Sequence, residues 1–293
     1  YDREAQAVGI VHFGIGAFHR AHQAWYTDRA MQAGGRNWAI TGVSLRSGEV
    51  AHQLNPQDGL YTVTERSGEG AHTRIVGAVK QVLVAPQEPE EVIAALAAPE
   101  VHIASLTITE EGYCRAGDGS LDPALAGDES VYHYLHQGLR RRHDAGLAGL
   151  TLLSCDNLAD NGRQLERLMR QYLERHDPAL LEWFAASCTC PSTMVDRIVP
   201  ATTATDRDEV ADALDGLRDE GAVLTEPFSQ WVIEDRFAGP RPRWEDVGAQ
   251  LVADVRPYET AKLRMLNGAH SLLAYCGLQG GYTYVHEAIA DPA

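Results

Sequence analysis

A lysine interrupts the apolar face of a predicted helix near the end of the sequence, in PYETAKLRMLNGAHSLLAYCGL, residues 257–278. On a helix that turns about 100° per residue, Leu266 and Leu273 lie about 40° and 20° from Lys262, and Met265 and Ala269 lie about 60° and 20° away on the other side. The lysine therefore rises from an apolar stripe, where a charged amine is costly unless it is neutralised or paired. Burial favours the neutral amine, which could accept a hydroxyl proton while hydride leaves the same carbon.

Three more polar side chains share this side of the predicted helix. Relative to Lys262, Glu259 lies at about 60°, His270 at about 80° and Asn267 at about 140°. Asn267 could donate a hydrogen bond to a developing oxyanion, and His270 could orient the substrate or the lysine. The alternative is a lysine that extends into solvent, with Asn267 and His270 capping neighbouring loops.

Polar side chains also follow two of the predicted strands. Asp156 and Asn157 come directly after LTLLSC, and Glu110 comes after SLTIT. Because open α/β sheets form ligand crevices at the carboxyl ends of their strands, Asn157 could act as a second oxyanion donor. Glu110 could relay protons between a buried base and water, or it could be an ordinary loop or helix-cap residue.

The segment IVHFGIGAFHRAH places two glycines between a predicted strand and a predicted helix. The turn Gly14-Ile15-Gly16 has the context of a dinucleotide site, in which backbone approaches the pyrophosphate and helix amides face the anion. A histidine stands where the motif has its third glycine, so a plain strand-to-helix turn is the alternative. Three side chains after the turn are further candidate contacts to the cofactor: Phe18, His19 and Arg20.

The second predicted strand, WAITGVSL, is followed by Arg46 and Glu49. A carboxylate at this place can accept hydrogen bonds from ribose hydroxyls and repel a 2′-phosphate, so Glu49 favours NAD. Arg46 leaves NADP possible. The alternative for Glu49 is an ordinary surface charge.

Strand-like and helix-like segments alternate through the first half of the chain. The strand-like runs are VGIVHFG, WAITGVSL, VHIASLTI and LTLLSC, and RQLERLMRQYLERHDPALLEWFAASC then supplies a long helix. Fully apolar strands alternating with helices predict an α/β fold with a doubly wound, Rossmann-like parallel sheet. We assign residues 1–190 to this dinucleotide-binding domain, 191–256 to extended segments that complete it, and 257–293 to the start of a helical catalytic domain.

The composition disfavours several classes of function. The chain has 25 basic and 41 acidic side chains, and the net charge of 25 − 41 = −16 disfavours nucleic acid and anionic membranes as partners. No apolar run reaches the length of a membrane span, and the N-terminus has no signal-peptide pattern. The five cysteines form no CxxC pair, which favours a reducing, cytoplasmic setting. His19 and His22 lie three residues apart without a third ligand, so we expect no metal site.

Six motifs together resemble the mannitol dehydrogenase family of polyol-specific long-chain dehydrogenases, which also contains fructuronate and tagaturonate reductases. They are GIGAFHRAHQAWYTD, SLTITEEGYC, SCDNLADNG, MVDRIVP, EPFSQWVIED and KLRMLNGAHS, and they run over nearly the whole chain in the family's order. By this resemblance, Lys262 is the general base of the K-x4-N-x2-H pattern, which also contains Asn267 and His270. The resemblance further implies that Asn157 and Asn267 form the oxyanion hole and that Glu110 is the proton-relay glutamate.

The resemblance also extends to residues around these groups. Glu49 matches the acid that binds the adenosine ribose, although Gly48 stands where the family often has a second acid. Asp196 and Glu259 match family positions near the site. Members of the family continue into a mostly helical C-terminal region, so we expect this sequence to be a truncated part of a longer protein.

The implied function is a metal-independent, NAD-dependent oxidoreductase that acts on a secondary alcohol of a polyol or an aldonate. D-Mannitol/D-fructose and D-mannonate/D-fructuronate are both compatible with the sequence, and the last predicted helix is slightly closer to the fructuronate reductases. One alternative is a nucleotide-binding module without turnover. Another is a zinc-dependent alcohol dehydrogenase that uses His19, His22 and cysteines.

Overall fold

The computed structural model describes residues 1–291, apart from the side chain of His286. The strands, in chain order, are β1 (Val8–Phe13), β2 (Ala39–Ser44), β3 (Tyr61–Ser67), β4 (Gly70–Val76), β5 (Val79–Val84), β6 (Ile103–Leu106), β7 (Thr151–Ser154), β8 (Thr193–Asp196), β9 (Val223–Thr225), β10 (Gln230–Glu234) and β11 (Gln250–Val252).

The α-helices are α1 (Ala17–Ala21), α2 (Gln23–Gln32), α3 (Glu49–Leu54), α4 (Pro89–Ala97), α5 (Thr109–Gly112), α6 (Val131–Asp144), α7 (Asn161–His176), α8 (Leu181–Ser187), α9 (Ala204–Ala213), α10 (Arg256–Ala261), α11 (Gly268–Gly280) and α12 (Val285–Ala290). Short 3₁₀ turns cover Asn55–Gln57, Pro178–Leu180 and Trp244–Val247, and a π-helical turn covers Lys262–Asn267. No helix in the described residues is long and apolar enough to cross a membrane.

The chain divides into two compact units, Tyr1–Ala253 and a helical unit that begins at Asp254. The first unit contains a parallel five-stranded sheet in the order β5-β2-β1-β6-β7. The chain therefore runs outward from β1 in one direction and then returns to the other side of β1 with β6. This reversal is the topological switch point of a doubly wound sheet, and it confirms the predicted Rossmann-like fold.

Both faces of the parallel sheet are covered, as fully apolar strands require. On one face, β-strand side chains such as Val11 and Phe13 pack with residues from α4, α6 and α7. On the other face, Ile10 and Ile40 pack with α2 and with Trp231 and Trp244. The alternation of Ile10, Val11 and Phe13 between the two clusters follows from the two-residue period of a strand.

Two small sheets complete the first unit. In one, β10 pairs antiparallel with β8 and parallel with β11. In the other, β3 forms a hairpin with β4 and pairs parallel with β9. The second unit is helical, and its α11 contacts α12 closely because Gly277 lacks a side chain. A Cβ atom added to Gly277 would lie 3.1 Å from the Cβ of Ala288.

Candidate functional site

The glycine turn lies at the switch point, directly after β1. Gly14 has a φ of +90°, and its N–H donates to the carbonyl of Val43 at 2.9 Å. A Cβ atom at this position would lie 2.0 Å from the carbonyl oxygen of Thr107, so both the backbone conformation and the space require glycine. The turn is therefore held between the ends of β2 and β6.

The two residues after Gly14 have different surroundings. Ile15 is buried, and it packs so closely on Gly42 that a Cβ added to that glycine would lie 2.1 Å from Ile15 Cδ1. Gly16 is exposed at the start of α1, and an added Cβ there would meet only the carbonyl oxygen of Gly14, at 3.9 Å. The exposed backbone at Gly16 leaves room for an anion to approach the first amides of α1.

A buried histidine of β1 supports the glycine turn through hydrogen bonds. His12 Nε2 lies 2.8 Å from Thr107 Oγ1, and the Thr107 hydroxyl donates to the carbonyl of Gly14 at 2.6 Å. On the other side of the ring, His12 Nδ1 lies 2.8 Å from Ser105 Oγ, which donates to Gln23 Oε1. Burial lowers the pKa of His12 from 6.5 to about 3, so the ring is neutral at physiological pH.

The candidate cofactor contacts on α1 point mostly into the protein. His19 is fully buried and stacks on His12 with 3.4 Å between ring centroids, and burial lowers its pKa. The Arg20 guanidinium is also buried and donates to the carbonyls of Gly16 and Gly221. Phe18 is half-buried and stacks on His22. His19 and Arg20 therefore support the turn in this structure, and a direct contact to cofactor stays a prediction.

The predicted specificity residues lie at the surface after β2. Arg46 and Glu49 are both exposed, and Glu49 is the first residue of α3. Arg46 Nη1 lies 3.9 Å from a carboxylate oxygen of Glu111, in α5 after β6. Glu49 accepts a hydrogen bond from Gln53 at 3.4 Å within α3. Both side chains are accessible to a ligand at the carboxyl end of β2.

Neighbouring strands β6 and β7 bring two more predicted residues to the same edge of the sheet. Glu110 lies in α5 after β6, and Asn157 follows β7, and both side chains are exposed. Asp156 directly precedes Asn157, and its carboxylate is buried. It accepts hydrogen bonds from the backbone N–H groups of Ile108 at 3.1 Å and Thr109 at 2.9 Å. Burial raises the pKa of Asp156, while these hydrogen bonds oppose the rise.

Sequence reasoning did not assign roles to His12 or Tyr113. The signal for His12 was present, because a histidine in the apolar run VGIVHF must be satisfied inside the sheet. Tyr113 gives no comparable signal. Only the fold shows that its hydroxyl lies 2.8 Å from Asp156, across 43 residues of sequence.

The predicted catalytic helix differs from an ideal α-helix at its centre. The N–H of Gly268 bonds the carbonyl of Leu263, five residues earlier, which is the π-helical pattern. The angles calculated for an α-helix therefore do not hold from Lys262 onward. Because the hydrogen bonds of a π turn span five residues instead of four, we expect Asn267 nearer to the side of Lys262 than the angle of about 140° on an α-helix.

The surroundings of Lys262 also differ from the predicted buried stripe. Lys262 is half-buried, while its apolar neighbours Met265 and Leu266 are 73% and 38% exposed. The π turn also changes which side chains share a face with the lysine. Glu259 and Asn267 are half-buried as well, and His270 is exposed. Asp196, which belongs to the first unit, is half-buried at the end of β8.

The two histidines considered as metal ligands contact other groups of the protein. His19 lies against His12, and His22 Nε2 lies 3.1 Å from the carbonyl oxygen of Gln230. Within the part of the chain that the structure describes, no three His, Cys, Asp or Glu side chains are grouped in a way that could hold a metal ion.

A parallel sheet with a glycine turn at its switch point defines the first unit as a Rossmann-like α/β domain. Family comparison agrees with the fold. Residues 8–246 match the mannitol dehydrogenase Rossmann domain, and residues 254–293 match the mannitol dehydrogenase C-terminal domain. The chain therefore belongs to the mannitol dehydrogenase family, as the six motifs predicted.

Similar proteins include two enzymes with different names. The chain is 43% identical to the D-mannonate oxidoreductase of Escherichia coli (strain K12) over 299 residues, which cover 97% of this chain and 61% of that protein. It is also 43% identical to a mannitol 2-dehydrogenase of Aspergillus terreus over 303 residues, which cover 97% of this chain and 60% of that protein. The chain thus spans about three fifths of the length of these relatives.

A solved structure has the same fold. It is the ternary complex of Pseudomonas fluorescens mannitol 2-dehydrogenase with NAD and D-mannitol, with a TM-score of 0.89 and 38% sequence identity. The match covers 100% of this chain and 62% of that one.

Proposed function

We propose that the protein is an NAD-dependent oxidoreductase that interconverts a secondary alcohol of a polyol or aldonate with the corresponding ketose or ketouronate. One observation carries this proposal. A glycine turn with left-handed Gly14 and exposed Gly16 occupies the switch point of the parallel sheet. The chain's family includes an enzyme solved with NAD and D-mannitol. Supporting side chains lie at the carboxyl ends of the neighbouring strands.

The residues around the turn fit a dinucleotide. Gly16 leaves the backbone open to a pyrophosphate, Gly14 gives the turn its left-handed conformation, and the first amides of α1 would face the charge of the pyrophosphate. Glu49 would accept hydrogen bonds from the adenosine ribose, and Arg46 could interact with a 2′-phosphate. NAD, when bound, supplies the hydride acceptor. We propose NAD as the preferred cofactor and NADP as a weaker one.

The protein's own residues would manage the proton and the developing charge. Lys262 would take the hydroxyl proton of the substrate as general base. Asn157 and Asn267 would donate hydrogen bonds to the oxygen as charge develops there, and His270 would orient the reacting groups. Glu110 would pass the proton from the lysine to water. None of these roles requires a metal ion.

Two residues are proposed as supports of this arrangement. Glu259 precedes Lys262 by three residues, a spacing at which helical side chains can meet. Asp196 is placed at the end of β8, where a small sheet of the first unit ends. Each would act by orienting a neighbouring group, without receiving a proton in the reaction.

Steady-state kinetics of the whole protein test the proposal. D-Mannitol and D-mannonate should be assayed side by side, because the relatives named for the two substrates are equally identical to this chain, at 43%. Each assay is run with NAD and with NADP, with and without a chelator. We expect turnover of at least one substrate, unchanged by chelator. Activity lost with the chelator, together with stoichiometric zinc, would select the zinc-dependent alternative, and NADH binding without turnover would select the nucleotide-binding module.

Substitution of Lys262 tests the base directly. Lys262→Ala should lower kcat about 100- to 10,000-fold, as is typical for the loss of a positioned base, with little change in NADH affinity. Lys262→Arg should not restore turnover, because guanidinium stays protonated.

The chain offers a matched control, since Lys80 is the other lysine in the sequence. Lys80 donates to a backbone carbonyl at the edge of the sheet, so Lys80→Ala should retain wild-type turnover. A Lys262→Ala protein that keeps most of its rate would remove this residue from the mechanism.

A further inference from the structure

The buried carboxylate of Asp156 connects the ends of β6 and β7, and we call this group and its hydrogen-bond donors the junction. Asp156 is 8% exposed. One oxygen accepts from the N–H of Thr109, and the other accepts from the N–H of Ile108 and from the Tyr113 hydroxyl at 2.8 Å. Both oxygens are thus used, and two of the three donors are consecutive backbone amides after β6.

The backbone that Asp156 holds is strained. Thr109 has a φ of +61°, a left-handed conformation that β-branched residues rarely adopt and that persists only where surrounding contacts enforce it. The two hydrogen bonds from Ile108 and Thr109 to one carboxylate can hold Thr109 in this conformation. A change at Asp156 would therefore let the turn relax toward an ordinary conformation.

The residues next to this junction are those of the proposed mechanism. Glu110 follows Thr109 directly, and Asn157 follows Asp156 directly. We propose that Asp156 is a positioning residue, whose carboxylate holds the left-handed turn at Thr109 and thereby sets Glu110 relative to Asn157. The inference rests on the proposed function, because it concerns the proton relay and the oxyanion donor of that reaction.

Asp156→Asn is the main test in the whole protein. The substitution keeps the size of the side chain but replaces one acceptor oxygen with an N–H group that faces other donors. We expect kcat to fall about 10- to 100-fold, since a displacement of about 1 Å at reacting groups has effects of this size. NADH affinity should change less than about threefold, because the glycine turn is held by other residues.

Tyr113→Phe is the matched control. It removes one hydrogen bond to the same carboxylate from within the core, but it leaves both backbone amides bonded to Asp156. We expect this variant to retain kcat within about threefold of wild type even where its thermal stability falls. Equal losses of kcat in Tyr113→Phe and Asp156→Asn would contradict the role of the two amides.

A rescue experiment separates positioning from general destabilisation. Glycine adopts a positive φ at no steric cost, so Thr109→Gly in the Asp156→Asn background should recover turnover several-fold. Absence of recovery, or a parallel loss of kcat and NADH affinity in Asp156→Asn, would overturn the proposal. A wild-type kcat in the single variant Asp156→Asn would also overturn the proposal.

Amide hydrogen exchange tests the junction without any substrate. In wild type, the amide hydrogens of Ile108 and Thr109 should exchange slowly, and Asp156→Asn should speed their exchange at least about tenfold while β6 stays protected. Unchanged exchange would overturn the inference. If the wild-type protein turns over neither polyol nor aldonate, the proposed function fails, and this measurement still decides whether Asp156 holds the turn.

Discussion

His12 occupies the interior of a parallel strand, a place usually filled by apolar side chains. Its ring bonds Ser105 on one side and Thr107 on the other, and Thr107 in turn bonds the carbonyl of Gly14. A neutral imidazole donates at one nitrogen and accepts at the other, so one of the two hydroxyls must turn its hydrogen toward the ring and away from its other acceptor. The residue thus links the core of the sheet to the glycine turn.

Acid should destabilise the protein through His12. Its pKa is about 3 in the folded state and about 6.5 when unfolded, so below pH 6.5 the unfolded chain binds a proton that the folded chain does not. Stability therefore falls as the pH decreases from 6.5 toward 3. Between pH 7 and pH 5 we expect His12 to lower the free energy of unfolding by about 2 kcal/mol, measured by urea denaturation.

A pair of variants isolates this effect. His12→Gln lacks the titrating ring, and its stability should depend on pH by about 2 kcal/mol less than that of wild type over the same interval. His72→Gln changes an exposed histidine of β4 and should keep the wild-type dependence. Identical pH dependence in wild type and His12→Gln would show that His12 is not the responsible group.

At the scale of elements, the glycine turn combines a strained conformation with a close backbone approach. Gly14→Ala would place a Cβ against the Thr107 carbonyl at a φ of +90°, and strain and overlap together should cost about 2 to 4 kcal/mol. NADH affinity should fall as well, because the turn must move. Denaturation and fluorescence titration with NADH measure the two losses.

Gly68→Ala is the control for this substitution. Gly68 lies in the turn of the β3–β4 hairpin, outside the left-handed region, and an added Cβ would meet no atom within 4 Å. Its stability should stay within about 0.5 kcal/mol of wild type. A Gly14→Ala protein as stable as Gly68→Ala would mean that the turn tolerates a side chain.

The sequence predicted the elements that carry a clear period, and the exceptions have physical causes. The runs VGIVHFG, WAITGVSL, VHIASLTI and LTLLSC contain β1, β2, β6 and β7. The long helix predicted after β7 is divided into α7 and α8 by a 3₁₀ turn that begins at Pro178, because proline disrupts a helix at that point. The π turn was not predicted, since an apolar repeat does not distinguish π-helical from α-helical winding over one turn.

In the candidate site, too, some features were predictable from the sequence and others were not. The glycine turn, Glu110 and Asn157 follow strands, and local sequence was enough to place them at the carboxyl edge of the sheet. The hydrogen bonds of Asp156 join residues more than 40 positions apart, so they depend on the order of β6 and β7 in the sheet. The predicted divisions at residues 190 and 256 stay predictions.

At the scale of the whole molecule, the two buried clusters that cover the parallel sheet are formed by residues of the first unit. A polypeptide of residues 1–253 should therefore fold cooperatively alone, since its core does not depend on the helical unit. It also contains the glycine turn, Arg46 and Glu49. We expect it to bind NADH within about threefold of the affinity of the longer chain.

Calorimetry and an NADH titration of residues 1–253 test this expectation. The same measurements on the 293-residue chain provide the reference. A truncated protein without a cooperative transition would show that the helical unit supplies part of the stability of the first. Cooperative unfolding without NADH binding would show that the turn alone does not form the cofactor site.

In the π turn between Lys262 and Asn267, the angle between these two side chains depends on the number of residues in the turn. With hydrogen bonds that span five residues, the asparagine should follow the lysine along the axis much as a residue four positions away does on an α-helix. Loss of one residue from this stretch, with tightening to regular winding, would leave the two side chains in step. Tightening to α-helical winding without such a loss would turn Asn267 to about 140° from Lys262.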